Sequence, residues 1–281
     1  MLSATAFAAA YSYEEGKTVI GSVQTYTVKD RESLFEIARK FNLGYHEIVD
    51  ANPDLDPFIP GEGKSIEIPT SWILPEGISY EGIVINLSEM RLFYFINLKG
   101  SRLLMTFPIG IGKEGFNTPV GKFSVVEKTV NPSWHVPASI QKEKPELPKL
   151  IPPGPDNPLG SHAMRLSIGD VLIHGTNRPW GVGRRFSHGC IRLYPEDIPK
   201  LFELVPIGTK VTIVRQPVKI GKRDSKVFIE VNRYEDEKNL NYFDKAVELL
   251  EKKNLFKAIS TEKLYKALRE KKGIPVDISK Q

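Results

Sequence analysis

Between Gly82 and Val214 the sequence consists of short apolar runs separated by turn residues, and this pattern restricts the fold more than any other feature. The runs are GIVINL, RLFYFIN, LLMTFPIGIG, GKFSVVEK, DVLIHG and KVTIVR. Val, Ile, Phe and Tyr dominate them, which is typical of β-strands. The pattern predicts a mainly β domain over residues 82–215.

Residues 25–70 follow a different pattern, which predicts a small β-α-α-β unit. TYTV alternates as a strand does, and Ser33 and Glu36 have the S-x-x-E spacing of a helix capping box. Leu34, Ile37, Ala38 and Phe41 then lie on one helical face. A second helix is expected to end before Pro53, and SIEIP closes the unit as a strand.

The segments around these two units are simpler. Residues 1–24 include a run of small apolar residues with an A-x-A pattern at Ala6–Ala8, which indicates a signal-peptide remnant or, alternatively, a flexible N-terminus. Residues 71–81 contain SWILPEG and are expected to be a linker. Residues 216–281 are predicted to form a helical C-terminal extension, with the strand KVFIEV and two amphipathic helices.

Composition excludes two classes of partner. Of the 281 residues, 41% are hydrophobic and 26% are charged, a balance typical of a globular protein. The 39 Lys and Arg residues are interspersed with 34 acidic residues, which argues against a nucleic-acid surface. No segment after the N-terminus approaches the roughly 18 consecutive apolar residues of a membrane helix, so no membrane span is expected in the mature chain.

Cys190 is the only cysteine, so an internal disulfide is excluded. A thiol is a poor nucleophile at neutral pH unless a neighbouring imidazole or cation favours the thiolate. His174 ends an apolar run, is followed by Gly175, and lies 16 positions before Cys190. A histidine and a cysteine at the ends of two elements can meet across adjacent strands. The spacing predicts a thiolate–imidazole pair.

The sequence SHGC provides a second indication of nucleophilic chemistry. Gly189 allows the backbone to approach a substrate carbonyl closely, and the N–H groups of Gly189 and Cys190 can form an oxyanion hole. We expect Ser187 to support this turn. His188 is expected to orient the turn or to line the hole.

Several segments, taken in order, resemble the L,D-transpeptidase catalytic domain of the YkuD family, in its ErfK/YbiS branch. These segments are FPIGIGKEGFNTPVGKF, PPGPDNPLG, LIHGTNRPWGVG and RRFSHGCIRL. YTVKDRESLFEIARKF, EIVDANPDL and IPGEGKSIEIP resemble the LysM module. The LysM resemblance departs from the family pattern in two places: Asp30-Arg31-Glu32 replaces the usual Gly-Asp pair, and GEGKSIEIP replaces the usual Pro-Gly-x-x-Leu/Ile ending. In the catalytic domain one position varies within the family, and Arg192 stands where some members have asparagine.

The resemblance implies a β-sandwich or barrel-like L,D-transpeptidase domain in the periplasm or cell envelope, with no cofactor and no metal. Cys190 would attack the meso-diaminopimelate–D-Ala bond of a peptidoglycan tetrapeptide stem, and His174 would transfer the protons. The acyl group would pass to a stem amine, giving a 3-3 cross-link, to a lipoprotein lysine, or to water. The LysM module would hold the enzyme on glycan strands.

Candidates for binding the stem peptide are Tyr94, Trp134, Trp180, Arg184 and Arg192. For each of them a purely structural role is the alternative. Arg192 could bind a substrate carboxylate or brace its loop through backbone carbonyls. The proline-rich loop, residues 131–165, is expected to be a lid or a surface excursion.

Two other classes of function are possible. A zinc site could use His174, His188 and Cys190, although zinc needs a fourth ligand or water and no further residue has ligand spacing. A non-catalytic cell-wall binding protein would use only the LysM unit. Intact His174 and Cys190 favour an enzyme.

Overall fold

The computed structural model describes residues 10–14, 16–98, 100–233 and 240–280. The strands, numbered in chain order, are β1 (Ala10–Ser12), β2 (Val19–Gly21), β3 (Gln24–Thr27), β4 (Ser65–Ile68), β5 (Ser71–Ile73), β6 (Gly82–Asn86), β7 (Arg91–Leu98), β8 (Ser101–Pro108), β9 (Ile111–Gly112), β10 (Gly121–Val130), β11 (Trp134–His135), β12 (Leu150–Ile151), β13 (His162–Leu166), β14 (Leu172–His174), β15 (Arg185–Ser187), β16 (Ile191–Arg192), β17 (Lys210–Val214), β18 (Val218–Arg223), β19 (Lys226–Val231) and β20 (Val276–Asp277). The α-helices are α1 (Leu34–Lys40), α2 (Tyr45–Ala51), α3 (Ala138–Glu143), α4 (Ile198–Leu204), α5 (Tyr242–Lys252) and α6 (Thr261–Glu270), and short 3-10 helices lie at Pro179–Gly181 and Phe256–Ala258.

Nine strands form a central sheet in the order β1-β8-β7-β6-β17-β10-β13-β14-β16. Most neighbours are antiparallel, but β6 pairs in parallel with β17, and β14 pairs in parallel with β16. The runs RLFYFIN and LLMTFPIGIG form β7 and β8. These two strands make the longest ladder, from Arg91 opposite Pro108 to Leu98 opposite Ser101. The prediction of a mainly β domain is confirmed.

Both faces of this sheet are apolar. Successive side chains along a strand point to opposite sides, so the buried residues of one strand divide between the two faces. Ile83 and Ile85 of β6 lie on the first face, and Val84 between them lies on the second. Helix α4 covers part of the first face with Ile198 and Leu201. Other buried side chains of the first face are Leu92, Phe107, Val125, Met164, Ile173, Ile191, Val211 and Ile213.

The β-α-α-β unit at residues 24–68 forms as predicted. Ser33 caps α1: its hydroxyl accepts from Glu36 N at 3.3 Å, and the Glu36 carboxylate accepts from Ser33 N at 2.8 Å. Helix α2 ends at Ala51, two residues before Pro53. Strands β3 and β4 pair antiparallel and complete the unit.

This unit packs on the second face of the central sheet. Val84, Phe93, Phe95 and Leu104 of the sheet form one buried cluster with residues of the unit. The partners in the unit include Leu34, Ile37, Ala38, Leu43, Ile48, Ile66 and Ile68. Exposing the four sheet residues would cost about 6–12 kcal/mol, at about 1.5–3 kcal/mol for each large apolar side chain. Since a whole domain is stable by about 5–15 kcal/mol, the unit cannot be a loosely tethered module.

The N-terminal prediction is wrong for the part of residues 1–24 that the structure describes. Ala10–Ser12 pairs with the edge of β8, and Val19–Gly21 pairs with β5. Tyr13 is buried, and its ring lies edge-on to Phe95 with ring centroids 5.2 Å apart. The open edge of β8 and this aromatic contact hold the segment in the fold. The A-x-A pattern at residues 6–8 lies outside the described residues.

The expected linker at residues 71–81 is also wrong. Its first residues form β5, in which Trp72 and Ile73 are buried, because they fill the gap between the β-α-α-β unit and the C-terminal strands. Further along, Tyr80 stacks on Phe95 with ring centroids 4.9 Å apart. The Pro and Gly of SWILPEG therefore lie within a packed segment and do not mark a linker.

The C-terminal part contains the two expected helices but three strands instead of one. Strands β18, β19 and β20 form an antiparallel sheet, against which α5 and α6 bury Ala246, Leu250, Leu264 and Leu268. Strand β18 carries Lys219 at a buried position, so its sequence lacks the apolar pattern of a strand. In the part of the chain that the structure describes, no helix is long and apolar enough to span a bilayer.

A buried ion network joins the C-terminal sheet to the central sheet. Lys219 Nζ lies 2.7 Å from Glu89 Oε2 and 2.9 Å from Glu230 Oε1. The other Glu230 oxygen accepts from Ile73 N at 2.6 Å. Burial raises the pKa of Glu89 to about 8, although the Lys219 charge opposes that effect, so at neutral pH Lys219 balances the Glu230 carboxylate and hydrogen-bonds to Glu89. Buried polar groups are tolerated only when they are paired and hydrogen-bonded, so the network fixes the relative position of the two sheets.

We predict that Lys219→Met lowers the free energy of unfolding by about 3–5 kcal/mol, because the buried Glu230 carboxylate loses its cation and Glu89 loses a hydrogen-bond partner. The matched control is Lys226→Met. Lys226 Nζ pairs with Asp277 at 2.8 Å, but it lies at the surface, so its loss should cost about 0–1 kcal/mol. Urea denaturation measures both changes. Equal losses in the two variants would show that the buried network contributes nothing special.

Candidate active site

His174 and Cys190 come from neighbouring parallel strands. Ile173 of β14 pairs with Ile191 of β16, and His174 pairs with Arg192. Both isoleucines point into the first-face core, so His174 and Arg192 lie on the opposite side of this strand pair. Cys190 directly precedes β16 and is half-buried. In this register it lies opposite Leu172 at the start of β14, diagonally across from His174.

The imidazole of His174 is buried and held by a backbone carbonyl. Its Nδ1 lies 2.6 Å from Gly175 O. Since a carbonyl only accepts hydrogen bonds, Nδ1 carries the proton. The backbone of Leu159 also hydrogen-bonds to the ring. Burial lowers the pKa of His174 to about 3, and the positive charge of Arg192 acts in the same direction. His174 is therefore neutral at pH 7, the form that a general base requires.

The thiol of Cys190 differs from the expected thiolate. Its Sγ lies 3.6 Å from Asp170 O, at the turn before β14. Burial raises the pKa of the thiol above its usual range, and the Leu172 backbone and the Arg192 charge oppose that effect without cancelling it. In the resting protein the cysteine is protonated, so attack on a carbonyl must be coupled to proton removal.

The SHGC turn is fixed by hydrogen bonds from its own residues and from a neighbouring hairpin. Ser187 Oγ donates to Cys190 O at 2.5 Å and accepts from Gly189 N at 3.2 Å. Gly189 has φ +104°, in the left-handed region that favours glycine. Thr118 Oγ1 donates to Gly189 O at 3.0 Å and accepts from Gly112 N at 3.0 Å. Thr118 was not among the predicted site residues, although TPVGKF was already part of the family resemblance.

His188 points toward the proline-rich loop. Its Nε2 lies 3.3 Å from Glu143 Oε2, and its ring lies edge-on to Phe116. Glu143 is the last residue of α3 and also pairs with Lys113 Nζ at 3.1 Å. Burial lowers the pKa of His188 while Glu143 opposes the shift. The loop thus contacts the SHGC turn through a charged side chain that the sequence analysis did not identify.

Two cavities open beneath the proline-rich loop, and Trp134 lines both. The first, of about 620 Å³, contains Cys190 with Asp170 and Leu172 on its wall. The second, of about 200 Å³, is lined by His188 and Arg192. Further lining residues of the second cavity are Ile140, Lys144, Leu147, Asp156, Asn177, Arg178 and Phe186. Three cations therefore surround the smaller cavity.

Arg192 is suited to bind an anion in this second cavity. Its Nε is buried and has no hydrogen-bond partner among the described residues, and its guanidinium lies 5.8 Å from the centre of the Phe186 ring. The described contacts include no backbone carbonyl for this nitrogen, which favours ligand binding over bracing of the loop.

Three predicted substrate residues lie elsewhere. Tyr94 is buried in the first-face core, where its hydroxyl donates to Leu204 O at 2.8 Å. Trp180 is 49% exposed and lines neither cavity. The guanidinium of Arg184 lies over the ring of Tyr45, 3.8 Å from its centre. Core packing, a surface turn and a contact with α2 place these three side chains outside the walls of the two cavities.

The zinc alternative finds no support in the described residues. Among them, no group of three or more His, Cys, Asp and Glu side chains lies close enough together to hold a metal ion.

The fold and these motifs agree with comparisons to known proteins. Residues 81–213 match the L,D-transpeptidase catalytic domain, YkuD, and residues 26–57 match the LysM domain. The sequence is 36% identical to the probable L,D-transpeptidase ErfK/SrfK of Salmonella typhimurium, over 97% of this chain and 93% of that protein. It is 41% identical to the probable L,D-transpeptidase YcfS of Escherichia coli K12, over 73% of this chain and 66% of that protein.

One solved structure, the NMR structure of the catalytic domain from the Enterococcus faecium L,D-transpeptidase, is 24% identical with a TM-score of 0.38. The aligned region covers 49% of this chain and 98% of the chain in that structure. The near full-length similarity to ErfK/SrfK, together with the two domain matches, identifies the family. The chain belongs to the L,D-transpeptidase family and combines a YkuD catalytic domain with a LysM domain.

We predict that the alkylation rate of Cys190 keeps rising with pH up to and beyond pH 9. The thiolate fraction grows as pH approaches the pKa of the thiol, and burial raises that pKa. Iodoacetamide labelling followed by intact mass reports on Cys190 alone, because the chain has one cysteine. The urea-unfolded chain is the control, with an ordinary pKa of about 8.5. A folded-state rate that levels off below pH 7 would contradict this account.

Proposed function

We propose that Cys190 is the nucleophile and His174 the general base of a cysteine L,D-transpeptidase acting on peptidoglycan tetrapeptide stems. The observation that carries the proposal is a half-buried thiol at the wall of a 620 Å³ cavity, beside a strand that ends in a buried neutral imidazole. Family membership supports the acyl-transfer chemistry.

In the first half-reaction, Cys190 Sγ attacks the carbonyl of the meso-diaminopimelate–D-Ala bond while His174 Nε2 takes the thiol proton. The Gly175 carbonyl on Nδ1 stabilises the imidazolium that forms. The backbone N–H of Cys190 stabilises the oxyanion, since the Gly189 N–H already donates to Ser187 Oγ. The C–N bond then breaks, and the imidazolium proton passes to the leaving D-Ala amine, which leaves a thioester on Cys190.

In the second half-reaction an acceptor attacks the thioester, and His174 takes a proton from it and returns that proton to the sulfur. A stem amine gives a 3-3 cross-link, a lipoprotein lysine gives an anchored lipoprotein, and water gives a trimmed stem. The acceptor therefore decides between a cross-linking enzyme, a lipoprotein-attaching enzyme and an L,D-carboxypeptidase. All three place the protein in the periplasm or cell envelope, where its substrate lies.

Arg192 is proposed to bind a carboxylate of the stem peptide. An unpartnered buried guanidinium nitrogen in a cavity that also contains Arg178 and Lys144 is a site for an anion. Trp134 lies at the wall of both cavities and would stand between the donor stem in one cavity and the acceptor in the other.

We predict that purified protein releases D-Ala from disaccharide tetrapeptide and that Cys190→Ala does not. His174→Gln should lower kcat by about 10²–10⁴-fold, the usual contribution of a general base. Trp180→Ala is the matched control, since this exposed side chain lines neither cavity, and it should retain the wild-type rate. D-Ala is measured with a coupled oxidase assay. Silence of the wild-type protein would leave the non-catalytic binding alternative.

We also predict that Arg192→Gln raises KM for the tetrapeptide, because it removes a positive charge from the second cavity. A change in kcat is expected as well, since the same charge acts on His174 and Cys190. The KM of Arg192→Lys should fall between those of wild type and Arg192→Gln, since lysine keeps the charge but not the bidentate geometry. Steady-state kinetics on the soluble stem decide the matter. An unchanged KM in Arg192→Gln would mean that the arginine only supports the loop.

A further inference from the structure

The LysM helix α2 begins against the chain segment that leads to Cys190. The first N–H groups of a helix have no partner within it and need an external acceptor. Gly44, the residue before α2, has no side chain to cap them. Instead, Tyr45 N donates to Val182 O at 3.4 Å, and His46 N donates to Gly183 O at 3.3 Å. A segment of the catalytic domain therefore accepts from the first turn of the LysM helix.

The two backbones touch at a pair of glycines. A Cβ on Gly44 would lie 2.8 Å from Gly183 Cα, and a Cβ on Gly183 would lie 2.1 Å from Tyr45 N. Gly183 also has φ +75°, in the left-handed region. No side chain can separate the two segments without displacing one of them.

Beside this contact, the ring of Tyr45 supports Arg184. The guanidinium lies 3.8 Å from the ring centroid, and Arg184 Nε is buried without a hydrogen-bond partner. With no described acceptor for that nitrogen, the aromatic face is the main contact that orients this side chain. Arg184 O accepts from Ile111 N at 3.1 Å, at the start of the β9–β15 pairing that ends in the SHGC turn. Arg184 lies six positions before Cys190.

The LysM unit cannot move away from this segment easily. Glu47 of α2 pairs with Arg91 of β7 at 2.8 Å, and both side chains are at most 5% exposed. The remaining Glu47 contacts are Trp72 Nε1 at 3.0 Å and Gly44 N at 2.6 Å. At the rim, Arg39 makes two 2.8 Å hydrogen bonds to the Glu196 carboxylate. The pairs fix α2 in the position where it contacts residues 182–184.

We propose that Tyr45 is a positioning residue for the catalytic turn: the LysM module shapes the active site through Tyr45 and Arg184 in addition to any glycan binding. The inference rests on the proposed function of Cys190. It implies that the LysM contact contributes to turnover even on a substrate that carries no sugar.

The test compares Tyr45→Ala with Tyr45→Phe on a free tetrapeptide without sugar. Tyr45→Ala removes the ring beneath Arg184, and a displaced catalytic turn should lower kcat by about tenfold or more with little change in KM, because small misplacements of reacting groups have large effects on rate. Tyr45→Phe keeps the ring and should retain the wild-type kcat. Glu62→Ala, an exposed LysM position, is the matched control and should also match wild type.

Hydrogen exchange provides a readout that does not depend on turnover. Backbone N–H groups of residues 184–190 should exchange faster in Tyr45→Ala than in wild type and Tyr45→Phe, while those of the central strands β6 and β7 stay protected. If wild type releases no D-Ala, the proposed function fails, and the exchange data alone decide the positioning role. An unchanged kcat together with unchanged exchange at 184–190 overturns the inference. If Tyr45→Ala does not fold, Arg184→Met makes the same comparison from the other side of the contact.

Discussion

The central sheet is apolar on both faces, and the rest of the molecule is arranged to cover them. Helix α4 and inward-facing strand residues bury the first face, while the LysM unit buries the second. Because Val84, Phe93 and Phe95 share one cluster with LysM residues, neither unit has a complete core without the other. The family resemblance describes the LysM module as a glycan-binding attachment. In this chain the module also contributes side chains to a hydrophobic core that it shares with the central sheet.

The same arrangement explains how the active site is held. Its strands β14 and β16 point Ile173 and Ile191 into the first-face core, and this leaves His174 and Arg192 on the opposite side. Burial keeps the imidazole neutral and the thiol protonated. At neutral pH both side chains are therefore uncharged, and in the proposed mechanism charge develops only when a carbonyl is attacked.

Local patterns predicted the elements of the fold, because alternation and capping act over a few residues. The strand pattern of 82–215 and the capping box at Ser33 are examples. The sequence failed where a distant partner decides the structure. Residues 10–21 look like a leader but pair with β8 and β5, and Lys219 looks like a surface residue but pairs with two buried acidic side chains. Likewise, motif spacing drew attention to Cys190 and His174, whereas the surroundings of Tyr94 and Arg184 depend on tertiary packing that no local pattern records.

In the proposed mechanism an acyl group passes through Cys190. Incubation with the tetrapeptide at low pH, where the acceptor amine is protonated, should let the thioester accumulate, and intact mass followed by peptide mapping can detect it. The account predicts a mass increase equal to the tripeptide acyl group, located on the peptide that contains Cys190 and absent from Cys190→Ser. Release of D-Ala with no acyl group on Cys190 at any time point would contradict it.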